Sequence, residues 1–242
     1  VMRLRGRAAV VTGGSRGIGR AIVERLARDG AEVVFNYASS TAAAAEIAAT
    51  VEGAHGIQLD LAEPGAAERL MELAEERLGG LDILVNNAAM SFQVASIADT
   101  DEAVFDDVMR GNAKTTFLTT RYAARRMRDG GRIVNISTVN TVRPAPGNAP
   151  YAASKGAIEQ LTAVAAMELG SRGITVNTVS PGATDTDLLR STNPAEALER
   201  VASVTPLGRL GEPADIADVV AFLVGPDGRW MTGQNLRATG GL

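Results

Sequence analysis

The chain has 242 residues, 45% of them hydrophobic, which is enough for one large α/β core. Its net charge of −4 comes with no basic block and no basic–aromatic interleaving, so no nucleic-acid footprint is present. It has no cysteine and one histidine, which excludes disulfides and thiolate chemistry and leaves no clustered metal ligands. No apolar run reaches the eighteen or so residues of a membrane span. Residues 1–5 lead into a strand without a signal-peptide core. A cytoplasmic protein without a metal is expected.

Ala8-Ala9-Val10-Val11 is a short apolar run that reads as a strand buried on both faces. It feeds Thr12-Gly13-Gly14-Ser15-Arg16-Gly17-Ile18-Gly19, after which Ala21, Ile22, Leu26 and Ala27 recur at helical spacing up to Gly30. Strand, glycine turn and helix together let backbone N–H groups reach a pyrophosphate at a helix N-terminus. Residues 32–36 predict a second strand. Folds that prefer NAD usually place an acid at its end, on the ribose 2′-hydroxyl. This chain has Asn36-Tyr37-Ala38-Ser39-Ser40 instead. Arg16 is suited to meet a 2′-phosphate and Ser39 and Ser40 to donate to it, which points to NADP, with NAD as the alternative.

Residues 42–51 and 64–78 predict helices, with a third strand over 55–59 between them. His55 reads as a surface residue at the start of that strand. Asp60 either accepts from an adenine amino group or caps the next helix. Residues 82–85 predict a fourth strand. The small residues Asn86-Asn87-Ala88-Ala89 at its carboxyl end leave room for a flat ligand. A long helix is expected over 101–129 with Gly111-Asn112 in its middle. The glycine costs roughly 1 kcal/mol there relative to alanine, so a local distortion of the backbone is expected. A fifth strand over 132–137 and a Pro-, Asn- and Gly-rich loop over 138–150 follow.

Tyr151 and Lys155 open the helix predicted over 151–171. Four residues apart, they share one face, and with Pro150 at the helix start both are expected in its first turn. A tyrosine titrates near 10; proton exchange at neutral pH needs roughly two or three units less, about 3–4 kcal/mol. The helix dipole gives about 0.3–1 kcal/mol. A lysine ammonium one turn away, with a second cation such as an oxidised nicotinamide ring, is the right size of effect. Only Lys114 and Lys155 are lysines among 24 Lys plus Arg, and an ammonium is a compact point charge where a guanidinium is bulky and planar.

Residues 174–179 predict a sixth strand. Ser180-Pro181-Gly182 opens a region expected to be irregular up to Gly211, a helix follows over 212–223, and a last strand over 235–237 ends at Gly240-Gly241. The βα alternation, without repeat or linker, gives one domain over 1–242: an α/β fold with a doubly wound parallel β-sheet of the Rossmann type.

Thr12-Gly13-x3-Gly17-x-Gly19, Asp60, Asn86-Asn87-Ala88, Asn112, Tyr151-x3-Lys155 and Pro181-Gly182 with Thr186 occur in one order, and together they resemble the short-chain dehydrogenase/reductase family. The resemblance runs from about Gly6 to Leu242. It implies a catalytic set of Asn112, Thr138, Tyr151 and Lys155. Tyr151 would be the general acid/base, and Lys155 would lower its pKa and hold the nicotinamide ribose. Asn112 would hold a water joining Lys155 to solvent. The Asn86-Asn87-Ala88 turn would steady the sheet, Asp60 would meet the adenine, and Thr186 would hold the nicotinamide carboxamide. The cofactor would lie on Gly13, Ser15, Arg16, Gly17, Ile18, Gly19, Tyr37, Ser39, Ser40, Asp60, Leu61, Asn87, Ala88, Ala89, Tyr151, Lys155, Pro181, Gly182, Thr184 and Thr186.

Thr138 stands where the family usually has a serine. Its hydroxyl can donate the same bond, while its methyl narrows the pocket and restricts the rotamer. Ser137 beside it should point to the opposite face. Ala89, where the family often has Gly, and Ala238-Thr239, where it often has an Asp, are smaller departures.

Members that reduce 3-oxoacyl thioesters on a carrier protein look similar along the whole length. Sugar and polyol dehydrogenases, glucose-dehydrogenase-like members among them, share the skeleton. The expected substrate walls, Met90, Phe92, Asn140, Val142, Pro144, Leu188 and Leu189, are mostly apolar and suit an acyl chain or hydrophobic ketone better than a sugar. Arg125, Arg126, Arg128 and Arg172 are the candidates to meet an acidic carrier, though Asp129 sits among them. Residues 185–206 are the expected substrate lid. A nucleotide-binding scaffold that has lost catalysis is the alternative from another class, with Thr138 its one supporting feature. The resemblance also implies a homotetramer, or failing that a dimer, through the two long helices and residues 230–242.

Overall fold

The computed structural model describes residues 3–90 and 93–242. In chain order it runs β1 (Ala8–Val11), α1 (Gly17–Arg28), β2 (Glu32–Tyr37), α2 (Thr41–Thr50), β3 (Ala54–Gln58), α3 (Ala66–Leu78) and β4 (Ile83–Asn86). Then come α4 (Glu102–Met109), α5 (Thr115–Arg126), β5 (Arg132–Ile136), α6 (Ala149–Leu169), β6 (Thr175–Pro181), α7 (Asp187–Thr192), α8 (Ala195–Val204), α9 (Pro213–Val224) and β7 (Asn235–Ala238). Among the described residues the strands form one seven-stranded sheet in the order β3-β2-β1-β4-β5-β6-β7. Every pairing is parallel. The chain winds outward from β1 to β3, then restarts at β4 on the other side of β1. That reversal opens a crevice at the carboxyl ends of β1 and β4.

Side-chain alternation divides the core. Ala9 and Val11 of β1 pack with Ile22, Val23 and Leu26 of α1 and Ile216, Val220 and Leu223 of α9. Val10 faces the other way, toward Leu70 and Met71 of α3, Ala123 of α5 and Ala165 and Leu169 of α6. A strand covered on both faces has no polar side, which is why β1 is continuously apolar. At the amino ends of the strands, the buried Asp82 carboxylate accepts from Arg7 (3.1 Å), Arg128 (2.8 Å) and the Ala8 amide (2.9 Å).

The expected long helix is two helices, α4 and α5, joined by a π-helical turn over Arg110–Lys114. Gly111 and Asn112 lie inside that turn, where a distortion was expected. Two further expectations are corrected. The region after β6 is not irregular, since α7 and α8 lie within it. The helix bearing Tyr151 begins at Ala149, so Tyr151 is in its first turn but Lys155 is its seventh residue and belongs to the second.

Candidate active site

A cavity of about 770 Å³ opens over the carboxyl ends of the strands. Its floor is the glycine turn between β1 and α1. The Thr12 hydroxyl accepts from the amides of Asn87 and Ala88, both at 2.9 Å. The Asn87 carboxamide donates back to the carbonyls of Thr12 and Gly13 at 3.0 Å. From the other side, the buried Asn36 accepts from the Gly13 amide through its side chain (2.9 Å) and from the Gly14 amide through its carbonyl (3.0 Å). Its Nδ2 donates to the Leu59 carbonyl at 2.9 Å. The loops after β1, β2, β3 and β4 are thus held as one bed. Gly17 adopts φ +54°, a left-handed conformation that favours glycine. A Cβ on Gly14 would sit 2.5 Å from Phe35 Cβ, and one on Gly19 would overlap the Gly13 carbonyl oxygen. These are the close approaches a backbone cradle for a pyrophosphate requires.

Every cofactor-side residue expected from the sequence lines this cavity, from Gly13 to Thr186. Arg16 is exposed at the start of α1, and its guanidinium makes no hydrogen bond or ion pair among the described residues. Tyr37, Ser39 and Ser40 line the same end, and no acid follows β2 there. A 2′-phosphate fits this end, with one unpaired guanidinium and two hydroxyls to meet it. Asp60 lines the cavity too, and its carboxylate accepts from the Ala62 amide at 2.9 Å. It does not cap α3, whose N-cap position is Gly65. Thr186 caps α7 by accepting from the Leu189 amide at 3.2 Å. Its methyl lies over the glycine turn, 3.2 Å from where a Cβ on Gly17 would be.

At the other end, Thr138, Tyr151 and Lys155 converge. Thr138 and Tyr151 line the cavity together, and hydrogen bonding from the Thr138 side chain favours the Tyr151 phenolate. Lys155 is buried; its Nζ donates to the Ile136 carbonyl at 2.8 Å and lies 5.7 Å from the centre of the Tyr151 ring. Burial lowers the Lys155 ammonium to about 8. Burial also raises the Tyr151 phenol above its ordinary value, and the Thr138 bond only partly offsets this. The expectation of a phenol made acidic by its lysine is corrected for the protein's own atoms. Loss of solvation outweighs what lowers the phenol, so Tyr151 holds its proton at neutral pH.

Asn112 is buried and does not line the cavity. Its Oδ1 accepts from the Met90 amide (2.8 Å) and its Nδ2 donates to the Ser154 hydroxyl (3.0 Å), which in turn donates to the Tyr151 carbonyl (2.8 Å). These bonds tie the loop after β4 to the first turns of α6. Ser137 lines the cavity as well, and its hydroxyl is engaged on α6, with Glu159 at 2.7 Å and the Lys155 carbonyl at 3.4 Å.

Among the expected substrate walls, Met90, Asn140, Leu188 and Leu189 line the cavity and Val142 and Pro144 do not; Phe92 lies outside the described residues. Val139, Arg143 and Val201 complete that side. Arg125, Arg126, Arg128 and Arg172 do not line it, and three are engaged elsewhere: Arg126 with Glu75, Arg128 with Asp82 and Arg172 with Asp129. The basic cavity mouth expected from them is therefore absent from this chain's own cavity. Arg143 is the cation on the substrate side, exposed and without a hydrogen-bond or ion-pair partner for its guanidinium among the described residues.

Sequence reasoning named Asn86 in a turn that would steady the sheet but missed its partners Thr119, Asn135 and Thr162 under the site. Asn86 donates to Asn135 (2.8 Å) and accepts from Thr119 (2.6 Å), while Asn135 donates to Thr162 (2.8 Å). Asparagine inside otherwise apolar strands was the available signal. Among the described residues no group of three or more His, Asp or Glu side chains could hold a metal ion.

Comparison with known proteins covers the whole length. The family model described as enoyl-(acyl carrier protein) reductase matches residues 13–242. A 3-oxoacyl-[acyl-carrier-protein] reductase of Vibrio cholerae is 37% identical over 100% of this chain and 99% of its own. A short-chain dehydrogenase/reductase of Serratia marcescens superposes with a TM-score of 0.94 at 39% identity, covering 99% of this chain and 98% of that one. A short-chain dehydrogenase of Burkholderia cenocepacia, solved in complex with NADP, gives 0.91 at 42% identity with the same coverage.

Proposed function

The chain belongs to the short-chain dehydrogenase/reductase family of oxidoreductases, and from that premise we propose that it is a cytoplasmic NADPH-dependent ketoreductase. The observation that carries the reading is the convergence of Thr138, Tyr151 and Lys155 in one cavity with an acid-free turn and an unpaired Arg16 guanidinium. The Burkholderia relative binds NADP, in agreement with the residues at that end. NAD remains the alternative cofactor.

The pyrophosphate would be held by the backbone of the glycine turn, the 2′-phosphate by Arg16, Ser39 and Ser40, and the nicotinamide end by Lys155, Pro181, Gly182, Thr184 and Thr186. When bound, the reduced nicotinamide supplies the hydride. Thr138 Oγ1 and Tyr151 Oη both face the position of a substrate carbonyl oxygen. Thr138 donates a hydrogen bond that polarises the carbonyl. Tyr151 gives its proton to that oxygen as negative charge builds on it. A phenol that keeps its proton at neutral pH is the form this step requires. Once the proton has left, the phenolate is stabilised by the Lys155 ammonium.

The substrate side is lined by Met90, Val139, Leu188, Leu189 and Val201, with Asn140, Asp187 and the cation Arg143 as its polar members. Mostly apolar walls with one cation suit a 3-oxoacyl thioester, whose carrier arm bears a phosphate, or a hydrophobic ketone. A sugar or polyol would find few partners there. Retention of Tyr151, Lys155 and Asn112 together speaks against a scaffold without catalysis. Val164 and Met167 of α6, Phe117 of α5 and Trp230 are exposed and support self-association into a homotetramer. Among the described residues no helix is long and apolar enough to cross a membrane.

The test follows NADPH oxidation by absorbance across ketones, 3-oxoacyl thioesters and sugars. Turnover of thioesters or apolar ketones, weaker with NADH, is expected. Silence across the panel with cofactor still bound would favour the scaffold. Equal rates with NADH would defeat the role given to Arg16.

A further inference from the structure

One carboxylate beside the site takes no step in the reaction. Glu159 lies one helical turn beyond Lys155 on α6. Its Oε1 accepts from the hydroxyls of Ser137 (2.7 Å) and Thr141 (2.7 Å), while the Ser180 hydroxyl, 3.4 Å away, donates to Asn235 at 2.7 Å. The two donors come from two places: the end of β5 and the 3-10 turn after it over Val139–Thr141. No arginine or lysine pairs with Glu159 among the described residues. A carboxylate is acceptor-only, with about four lone-pair sites, so it can gather several hydroxyls without competing as a donor. Bonds to an ionised acceptor are shorter and stronger than neutral ones. The Thr141 hydroxyl lies 2.7 Å from Glu159 and 3.0 Å from the Thr138 carbonyl.

The donors bracket Thr138. The residue before it and the residue three after it both reach the same oxygen, while Thr138 itself lines the cavity together with Tyr151, on the helix that carries Glu159. We propose that Glu159 is a positioning residue, which locks the peptide bearing Thr138 to α6 so that the Thr138 and Tyr151 hydroxyls are aimed at one carbonyl oxygen. It touches no reacting atom. The proposal rests on the ketoreductase reading only for its effect on rate; the clamp itself is a matter of geometry. A β-branched residue at 138 sharpens the need, since its restricted χ1 leaves little freedom to re-aim the hydroxyl once the backbone moves.

Two measurements test it. The first needs no turnover: backbone hydrogen exchange over residues 138–143, where the amides of Val142 and Arg143 both donate to the Val139 carbonyl. In Glu159→Leu these amides are expected to exchange at least tenfold faster, and in Glu159→Gln, which keeps an acceptor oxygen, within threefold of wild type. Wild-type exchange in Glu159→Leu would overturn the proposal whatever the activity. The second is a double-mutant cycle with Thr138→Ala, using the best ketone of the panel and NADPH. Glu159→Leu is expected to lower kcat about tenfold while changing the Kd for NADPH less than twofold, with Glu159→Gln recovering most of the loss. In the Thr138→Ala background the same change should cost less than twofold, because the group being aimed is gone. Losses that multiply would show general damage and overturn the proposal. Should Glu159→Leu fail to fold, Thr141→Val removes one donor and enters the same two measurements, with a smaller effect expected. A wild type silent on every substrate, with exchange rising in Glu159→Leu, would sink the ketoreductase reading and leave the clamp standing.

Discussion

Lys155 keeps an ammonium where its surroundings resist one. Burial lowers it from 10.5 to about 8, so between those values the folded chain holds fewer protons than the unfolded chain. Stability contributed by this residue therefore rises with pH from about 8 to 10.5. The cost of its charge below pH 8 is about 3 kcal/mol, from roughly two and a half units. Lys155→Met removes that cost. Its melting temperature relative to wild type is expected to be highest below pH 8 and to fall steadily toward pH 10.5, as thermal scans across that range would record. In the wild type, carbonyl reduction should decline above about pH 8 as the charge beside Tyr151 is lost, and a kcat/KM profile with no limb near 8 would count against Lys155. Tyr151→Phe should reduce kcat by about 10²–10⁴-fold while leaving NADPH binding within a few-fold, measured by cofactor titration. At this scale the sequence was informative where chemistry demands a residue type. Tyr151 and Lys155 stood out by spacing and by the rarity of lysine. Asn36, Asn135 and Thr162 did not, because their partners lie on other elements and a one-dimensional pattern cannot show which carbonyl or hydroxyl they meet. The raised phenol escaped too, since desolvation depends on what packs around it.

Among the elements, the glycine turn and the π-helical turn do the positioning. Gly19→Ala would place a methyl against the Gly13 carbonyl oxygen and the Asn87 amide nitrogen, and neither backbone nor pinned side chain can yield without opening the bed. Overpacking of this kind costs about 1–3 kcal/mol. A fall of several degrees in melting temperature and at least a tenfold weaker NADPH titration are expected. The distortion at Gly111-Asn112 was legible because that pair is poor inside a helix. What the turn delivers was not: a buried carboxamide joining the Met90 amide to Ser154. The strands and the long helices could be read from continuous apolar runs and 3.6-residue spacing. Helices α7 and α8 could not. The first has only 6 residues, and Asn193 and Pro194 interrupt the pattern between it and the second.

For the whole molecule, the two ends of the sheet treat their arginines differently. At the amino ends Arg7 and Arg128 share the Asp82 carboxylate, and at the carboxyl ends Arg16 and Arg143 line a cavity that also holds Asp60 and Asp187, their guanidiniums without ion-pair partners among the described residues. Exposed Met167 and Trp230, at 86% and 96% of their full surface, are large apolar areas for a chain to leave wet. Sedimentation at four times the 25.1 kDa chain mass is expected, and a species at the chain mass would refute the assembly. The resemblance anticipated that surface, whereas the sequence pattern alone could not separate a helix's second apolar face from core. The Thr186 methyl resting above Gly17 has a kinetic corollary. Thr186, inside the proposed lid over residues 185–206, also lines the proposed nucleotide seat, so we expect the dinucleotide to be in place before the substrate. Turnover should then be compulsory-ordered, dinucleotide first on and last off. Oxidised dinucleotide would inhibit competitively against the reduced form, and the alcohol product noncompetitively.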